Sequence, residues 1–162
     1  MSLLATASVS AEVTVTISKT HLCCGACVKA VDTTLKDLAG VKHESNQDEH
    51  TISLKADSLA NAQKAIDALA AAGFHGKVDH PELKYKPVDA PKGKVARLEI
   101  SGIHNCCGAC TKAIKAALKD VEGVQADTAK PKVDSFVVEG DFSPAAAVEA
   151  LLNAGFHVSV KK

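Results

Sequence analysis

Residues 21–41 read HLCCGACVKAVDTTLKDLAGV, and residues 104–124 read HNCCGACTKAIKAALKDVEGV. Thirteen of the 21 positions are identical at an offset of 83, and Ala-Gly-Phe-His at 72–75 returns at 154–157. A period of this length marks a duplicated domain rather than a short solenoid repeat. The copies are placed at 12–79 and 95–162. The one-residue change of offset between the two landmarks is assigned to a loop. At ~65 residues each copy buries only ~60% of its unfolded surface, so its intrinsic stability is modest and bound metal would add to it.

The elements of one copy follow from periodicity. Val13, Val15 and Ile17 alternate, as do Ala96, Leu98 and Ile100, giving a first strand before each cysteine loop. Val31, Leu35 and Leu38, matched by Ile114, Leu118 and Val121, recur at helical spacing. Gly40 and Gly123 are expected to cap these helices. Short strands are expected near 41–46 and 51–55, and near 124–128 and 135–139. A second helix then starts after Asp57/Ser58 or at Ser143-Pro144, a capping serine with proline at the first helical position. It ends near Gly73 or Gly155, before a last strand at 75–79 or 157–161. The result is an α+β chain of two ferredoxin-like β-α-β-β-α-β sandwiches in tandem. In that topology the cysteine loop, the hairpin tip and the turn carrying His75 or His157 share one end of the sheet.

Between the copies, 80–94 reads HPELKYKPVDAPKGK. Pro81, Pro87 and Pro91 exclude regular hydrogen-bonded structure. As an extended spacer it would leave the copies free to choose how they face each other. At the start, residues 1–11 (MSLLATASVSA) resemble the end of a secretory leader with a small-residue cleavage site. The expectation is an exported, periplasmic protein, with a disordered cytoplasmic tail as the alternative.

Composition removes several function classes. Lys plus Arg (19) balance Asp plus Glu (19), and the aromatics are 4 Phe and 1 Tyr, so neither charge nor a stacking platform supports nucleic-acid binding. No apolar run reaches the ~18 residues of a membrane span. No paired carboxylates, Ser/His/Asp set or phosphate-binding glycine loop is present, and no enzyme is expected.

The six cysteines fall in two groups, Cys23, Cys24, Cys27 and Cys106, Cys107, Cys110. Stabilising disulfides close long loops, whereas clustered thiols act as ligands or redox groups. Cys27 and Cys110 fall in the first helical turn, where the helix dipole favours a thiolate. Adjacent Cys23 and Cys24 are too close at Cα for an unstrained disulfide. Soft thiolates select Cu(I), Zn(II) or a related thiophilic ion. Adding His21 or His104 would give a Cys3His set suited to zinc. Three sulfurs would suit trigonal Cu(I), and six sulfurs shared between copies would suit a copper–thiolate or iron–sulfur cluster. Phe74 and Phe156 are read as core beside the loops. His43, His50 and His80 are read as solvated, and Lys29, Lys36, Lys112, Lys115 and Lys119 as wet helix faces.

With C-G-A-C after the first strand and Ala-Gly-Phe before the last, each copy resembles a heavy-metal-associated domain. Copper chaperones, mercuric-ion-binding proteins and the N-terminal modules of metal-transporting ATPases share that domain. The resemblance implies soft-metal binding by Cys24 and Cys27 and by Cys107 and Cys110, and transfer to a metal-accepting or metal-transporting partner. Leu22 and Asn105 stand where the family has Met, and Cys23, Cys106, His21 and His104 exceed its two-ligand set, which implies tighter holding, a different metal or a cluster. The expected function is binding of Cu(I), or of Zn(II) or Hg(II), for sequestration, transport or homeostasis. The alternatives are a thiol–disulfide oxidoreductase using the C-x-x-C pairs and a cluster-bearing electron carrier. A metal-bridged dimer is a further expectation from thiols on a surface loop.

Overall fold

In the computed structural model, which describes residues 12–161, the chain forms two sheets of four strands each. In the first half β1 (Val13–Ser18) leads through the cysteine loop to α1 (Gly25–Leu35). The hairpin β2 (Val41–Asn46) and β3 (Thr51–Ala56), then α2 (Leu59–Ala71) and β4 (Lys77–Val78), follow. The second half repeats this as β5 (Val95–Ser101), α3 (Gly108–Lys119), β6 (Val124–Asp127), β7 (Phe136–Phe142), α4 (Pro144–Asn153) and β8 (Ser159–Lys161). Strand orders are β2-β3-β1-β4 and β6-β7-β5-β8, with every pairing antiparallel. These are two ferredoxin-like sandwiches. The leader-like 1–11 lies outside the described residues.

Alternation places Val15, Ile17, Ile52 and Leu54 on the helix-covered face of the first sheet, where they meet Val31, Leu35, Ile66 and Leu69. Burying such side chains contributes ~1.5–3 kcal/mol each. The second sheet departs from strict alternation at its start. Register shifts between Val95 and Arg97, so Ala96, expected on the core face, is exposed, while Leu98 and Ile100 remain buried.

The helix ends differ from the sequence expectation. Gly40 and Gly123 do not cap α1 and α3; they lie five and four residues beyond the last helical residues Leu35 and Lys119, and the C-caps are Lys36 and Asp120. Their positive φ (72° and 85°) serves the turn into the next strand, where the Gly40 and Gly123 carbonyls accept from the Asp57 and Asp141 amides. Gly73 and Gly155 are the true helix-ending glycines. Gly73 (φ 85°) donates to Ala70 and Phe74 donates to Leu69; Gly155 and Phe156 repeat this with Leu152 and Leu151. Both are Schellman turns. Ser58 accepts a bond from the Asn61 amide, but Ser143 makes no side-chain cap, and Pro144 starts α4 by its fixed φ alone.

The segment 80–94 has no regular structure, as its prolines require, yet it is not a free spacer. Leu83 is buried, the Gln63 side chain brackets the Lys84 backbone at 2.9 and 3.2 Å, and Lys86 pairs with Asp67 at 2.8 Å. Tyr85 then enters the junction between the halves.

That junction is two-fold related. The turn at Phe74 pairs with the turn at Phe156 as an antiparallel bridge, with His75 N–H donating to Gly155 and His157 N–H to Gly73, both at 3.0 Å. The His75 and His157 rings face each other with Nδ1 atoms 3.2 Å apart, and Tyr85 stacks against His157 and packs tilted against His75. Neutral imidazoles make this contact as one donor and one acceptor. Burial, and then the charge on His157, lower the His75 pKa to about 4; burial also lowers that of His157. Lys19 and Lys77 line the surface beside His75, and Lys86 and Asp89 that beside His157. Because the folded values lie below the unfolded ~6.5, this contribution is complete above pH ~6.5 and fades as pH falls toward 4. The expected outcome is a loss on the order of 1–2 kcal/mol over that window. Thermal melts of the metal-free protein at stepped pH should show it, and His75→Leu should flatten the dependence.

Candidate metal centre

Each cysteine loop is positioned by its helix and its hairpin. Cys24 and Cys107 are extended N-cap residues (φ −161° and −153°) whose side chains make no capping bond, leaving both sulfurs available. Cys27 and Cys110 occupy the first turns and are fully buried. The first loop is held by buried Leu22 and by Thr20 N–H donating to His50 in the hairpin. The second loop uses a polar solution. Asn105 donates to the Lys130 and Val133 carbonyls at 2.7 and 3.2 Å and accepts from the Thr111 hydroxyl at 2.8 Å.

The junction brings the two loops face to face. All six sulfurs belong to one cluster, joined by nine contacts of 3.5–3.9 Å. Five of these cross between halves: Cys23–Cys107, Cys23–Cys110, Cys24–Cys106, Cys27–Cys106 and Cys27–Cys110. None of the six is in a disulfide.

The histidines of the loops also cross over. His21 packs tilted on Phe156 and His104 stacks on Phe74, each with ring centroids 4.3 Å apart. A ring nitrogen of His104 lies within 4.8 Å of the Cys27, Cys106 and Cys110 sulfurs, and one of His21 within 4.8 Å of Cys23 and Cys110. The Nε2 atoms of both are buried without a hydrogen-bond partner among the described residues. A buried unpaired polar atom costs ~1–3 kcal/mol, which a bound cation would offset.

The thiols do not ionise alike. A hydrogen bond from the Cys110 thiol holds Cys27 far below the usual thiol range despite its burial. Cys110 is pushed up because its proton is engaged by Cys27. Burial pushes Cys23 up, and pushes Cys106 up to about 12. Cys107 is lowered to about 7, first by the Cys110 backbone N–H at the helix start. The cluster thus accommodates its first negative charge readily, and further ones need a cation among them.

His75 and His157 share this end of the molecule but bond to each other and take no place in the sulfur cluster. His43, read as solvated, is held at 3.1 Å by Asp32 with its side chain 13% exposed. Phe74 and Phe156 are buried as expected, with the added role of carrying the opposing histidine. Tyr85 escaped the sequence reading, though a lone aromatic in a Pro/Lys-rich segment was a usable signal.

Residues 97–157, in the second half, match the heavy-metal-associated domain. The first half repeats its strand order and cysteine loop, making the chain similar to tandem heavy-metal-associated-domain proteins. A comparison with curated proteins finds no match. Among solved structures, the N-terminal domain of PacS from Synechocystis PCC6803 is 26% identical, over 42% of this chain and 100% of that one, with a TM-score of 0.39. The HMA domain of a copper chaperone for superoxide dismutase, in its apo form, is 19% identical over 49% and 81%, with a TM-score of 0.38. The N-terminal soluble domains of Bacillus subtilis CopA are 22% identical over 94% and 95%, with a TM-score of 0.35. The domain match supports heavy-metal binding. Heavy-metal-associated domains are metal-binding, non-catalytic modules. No helix among the described residues is long and apolar enough to cross a membrane.

Proposed function

We propose that this chain binds thiophilic metal ions, Cu(I) before Zn(II) or Hg(II), through Cys23, Cys24, Cys27, Cys106, Cys107 and Cys110 with His21 and His104 beside them. Its role is sequestration or homeostasis of the ion. The observation that carries this reading is the convergence of six thiols at 3.5–3.9 Å with two unpartnered imidazole nitrogens. Thiolate-rich, oxygen-free ligand sets select soft ions. Cys27 and Cys110 are fully buried, so a partner's thiol reaches a bound ion only past the outer sulfurs. That geometry favours holding over rapid hand-on. Thiol sharing of the kind expected in a metal-bridged dimer is available here inside one chain. Location in the periplasm is proposed with this function, on the leader-like residues 1–11.

Anaerobic reconstitution with Cu(I), Zn(II) and Hg(II), followed by native mass spectrometry, tests the proposal. Metal retained on the intact chain after desalting is expected, with Cu(I) displacing Zn(II). Recovery of apo protein from all three would defeat it.

One second reading, a thiol–disulfide oxidoreductase, is favoured by the C-x-x-C sulfurs, which lie 3.8 Å apart at a helix start in each half. An insulin-reduction assay separates the two. Turnover at catalytic protein concentrations would support the redox role.

A further inference from the structure

The extra cysteine of each loop has a defined place in the sulfur cluster. Among the nine contacts, four sets of three sulfurs close as triangles, and only one pair of triangles uses all six sulfurs without sharing any. The first triangle is Cys23, Cys107 and Cys110, with edges of 3.6, 3.5 and 3.8 Å. The second is Cys24, Cys27 and Cys106, with edges of 3.8, 3.9 and 3.6 Å. Each joins the C-x-x-C pair of one half to the extra cysteine of the other. The loop-local alternative does not close, because no sulfur contact of this kind joins Cys23 to Cys24 or Cys106 to Cys107 among the described residues. No four sulfurs are in mutual contact either, so a tetrahedral all-sulfur site is not formed.

We infer that the two halves exchange ligands. Cys23 completes a three-sulfur site on Cys107 and Cys110, Cys106 completes one on Cys24 and Cys27, and the chain holds two trigonal thiophilic ions. An ion centred in either triangle lies about 2.1–2.2 Å from each sulfur, close to the ~2.3 Å of a metal–thiolate bond. The histidines follow the same exchange. His21 lies by Cys23 and Cys110 of the first triangle, and His104 by Cys27 and Cys106 of the second and also by Cys110, each placed to be a fourth ligand when the ion demands one. Each loop therefore supplies a pair to its own site and a single sulfur to the other, and neither half holds a three-sulfur site alone. This inference rests on the metal-binding reading and goes beyond it in stating which thiols act together.

The test uses the full chain with Cys107→Ser and Cys110→Ser, which removes one site and leaves Cys24, Cys27 and Cys106. Cu(I) is supplied anaerobically, and affinity is read by chelator competition and coordination by X-ray absorption. The wild type is expected to bind two Cu(I), and this background one, each with three sulfur neighbours. Adding Cys106→Ser should leave two neighbours and weaken binding by ~10- to 100-fold, at least the loss seen when metal-site partners are removed. Adding Cys23→Ser should change neither. The reverse pattern would overturn ligand exchange in favour of loop-local sites. Sensitivity to both substitutions, no Cu(I) on the background, or four or more ions on the wild type would overturn it in favour of one shared cluster. Wild-type protein that takes up no Cu(I) instead defeats the metal-binding reading itself. The mirror background, Cys24→Ser with Cys27→Ser, exchanges the roles of Cys23 and Cys106, and circular dichroism confirms that each variant is folded.

Discussion

Replacing Cys27 and Cys110 together by alanine is expected to weaken Cu(I) binding by at least ~1,000-fold, a loss of ~4 kcal/mol. These two sulfurs are the hub of the cluster. Cys27 touches Cys23, Cys24, Cys106 and Cys110, and Cys110 touches Cys23, Cys27, Cys106 and Cys107. Both are fully buried and packed in the core, so the change trades a sulfur for a small cavity in each half. That costs the metal-free fold little, within the ~0.5–3 kcal/mol span of ordinary core substitutions. Chelator competition on the double variant, beside a denaturation curve of the apo protein, separates the two effects. An affinity within tenfold of the wild type would place the ion elsewhere.

The second large effect is expected from Gly73→Ala combined with Gly155→Ala. A methyl group on Gly73 would fall 2.1 Å from the backbone nitrogen of His104, and one on Gly155 would fall 2.4 Å from that of His21. Both clashes are with backbone of the opposite half, so no rotamer change relieves them. Left-handed backbone at both positions adds ~1–2 kcal/mol per residue for any L side chain. The halves must separate, breaking the Phe74–Phe156 bridge and with it every sulfur contact between the loops. Small-angle scattering should show a larger radius of gyration. Stabilisation by added Cu(I) should shrink toward that of two independent C-x-x-C sites. A variant that stays compact and melts with the wild-type metal dependence would mean that the junction does not build the site.

The legibility of all this in the sequence was uneven, for physical reasons. Within each half, alternation in Val13–Ile17 and helical spacing in Val31–Leu35 report burial against a neighbour close in the chain, and the sheets formed as expected. Ala96 broke the pattern because a bulge is a property of two strands, and one strand's periodicity does not contain it. Gly40 misled because a glycine after a helix can serve either the cap or the next turn, and only φ and the Asp57 bond decide which. The eight candidate ligands were visible as residue types, and the structure gathers them. Their grouping was not visible, because the loops meet through a contact between distant turns. Gly73, Gly155 and Tyr85 decide that contact. A helix-ending glycine is ordinarily explained by its own φ, and nothing in Ala-Gly-Phe-His announces that the glycine also abuts a second backbone. Duplication of the motif at 154–157 was the available clue, since a two-fold contact needs the same turn twice.

Anomalous diffraction from crystals of the Cu(I)-loaded chain tests the central claim most directly. Two peaks at the junction are expected, one within bonding distance of Cys23, Cys107 and Cys110 and the other of Cys24, Cys27 and Cys106. Peaks bound only by Cys23, Cys24 and Cys27, or only by Cys106, Cys107 and Cys110, with the two halves apart, would contradict it.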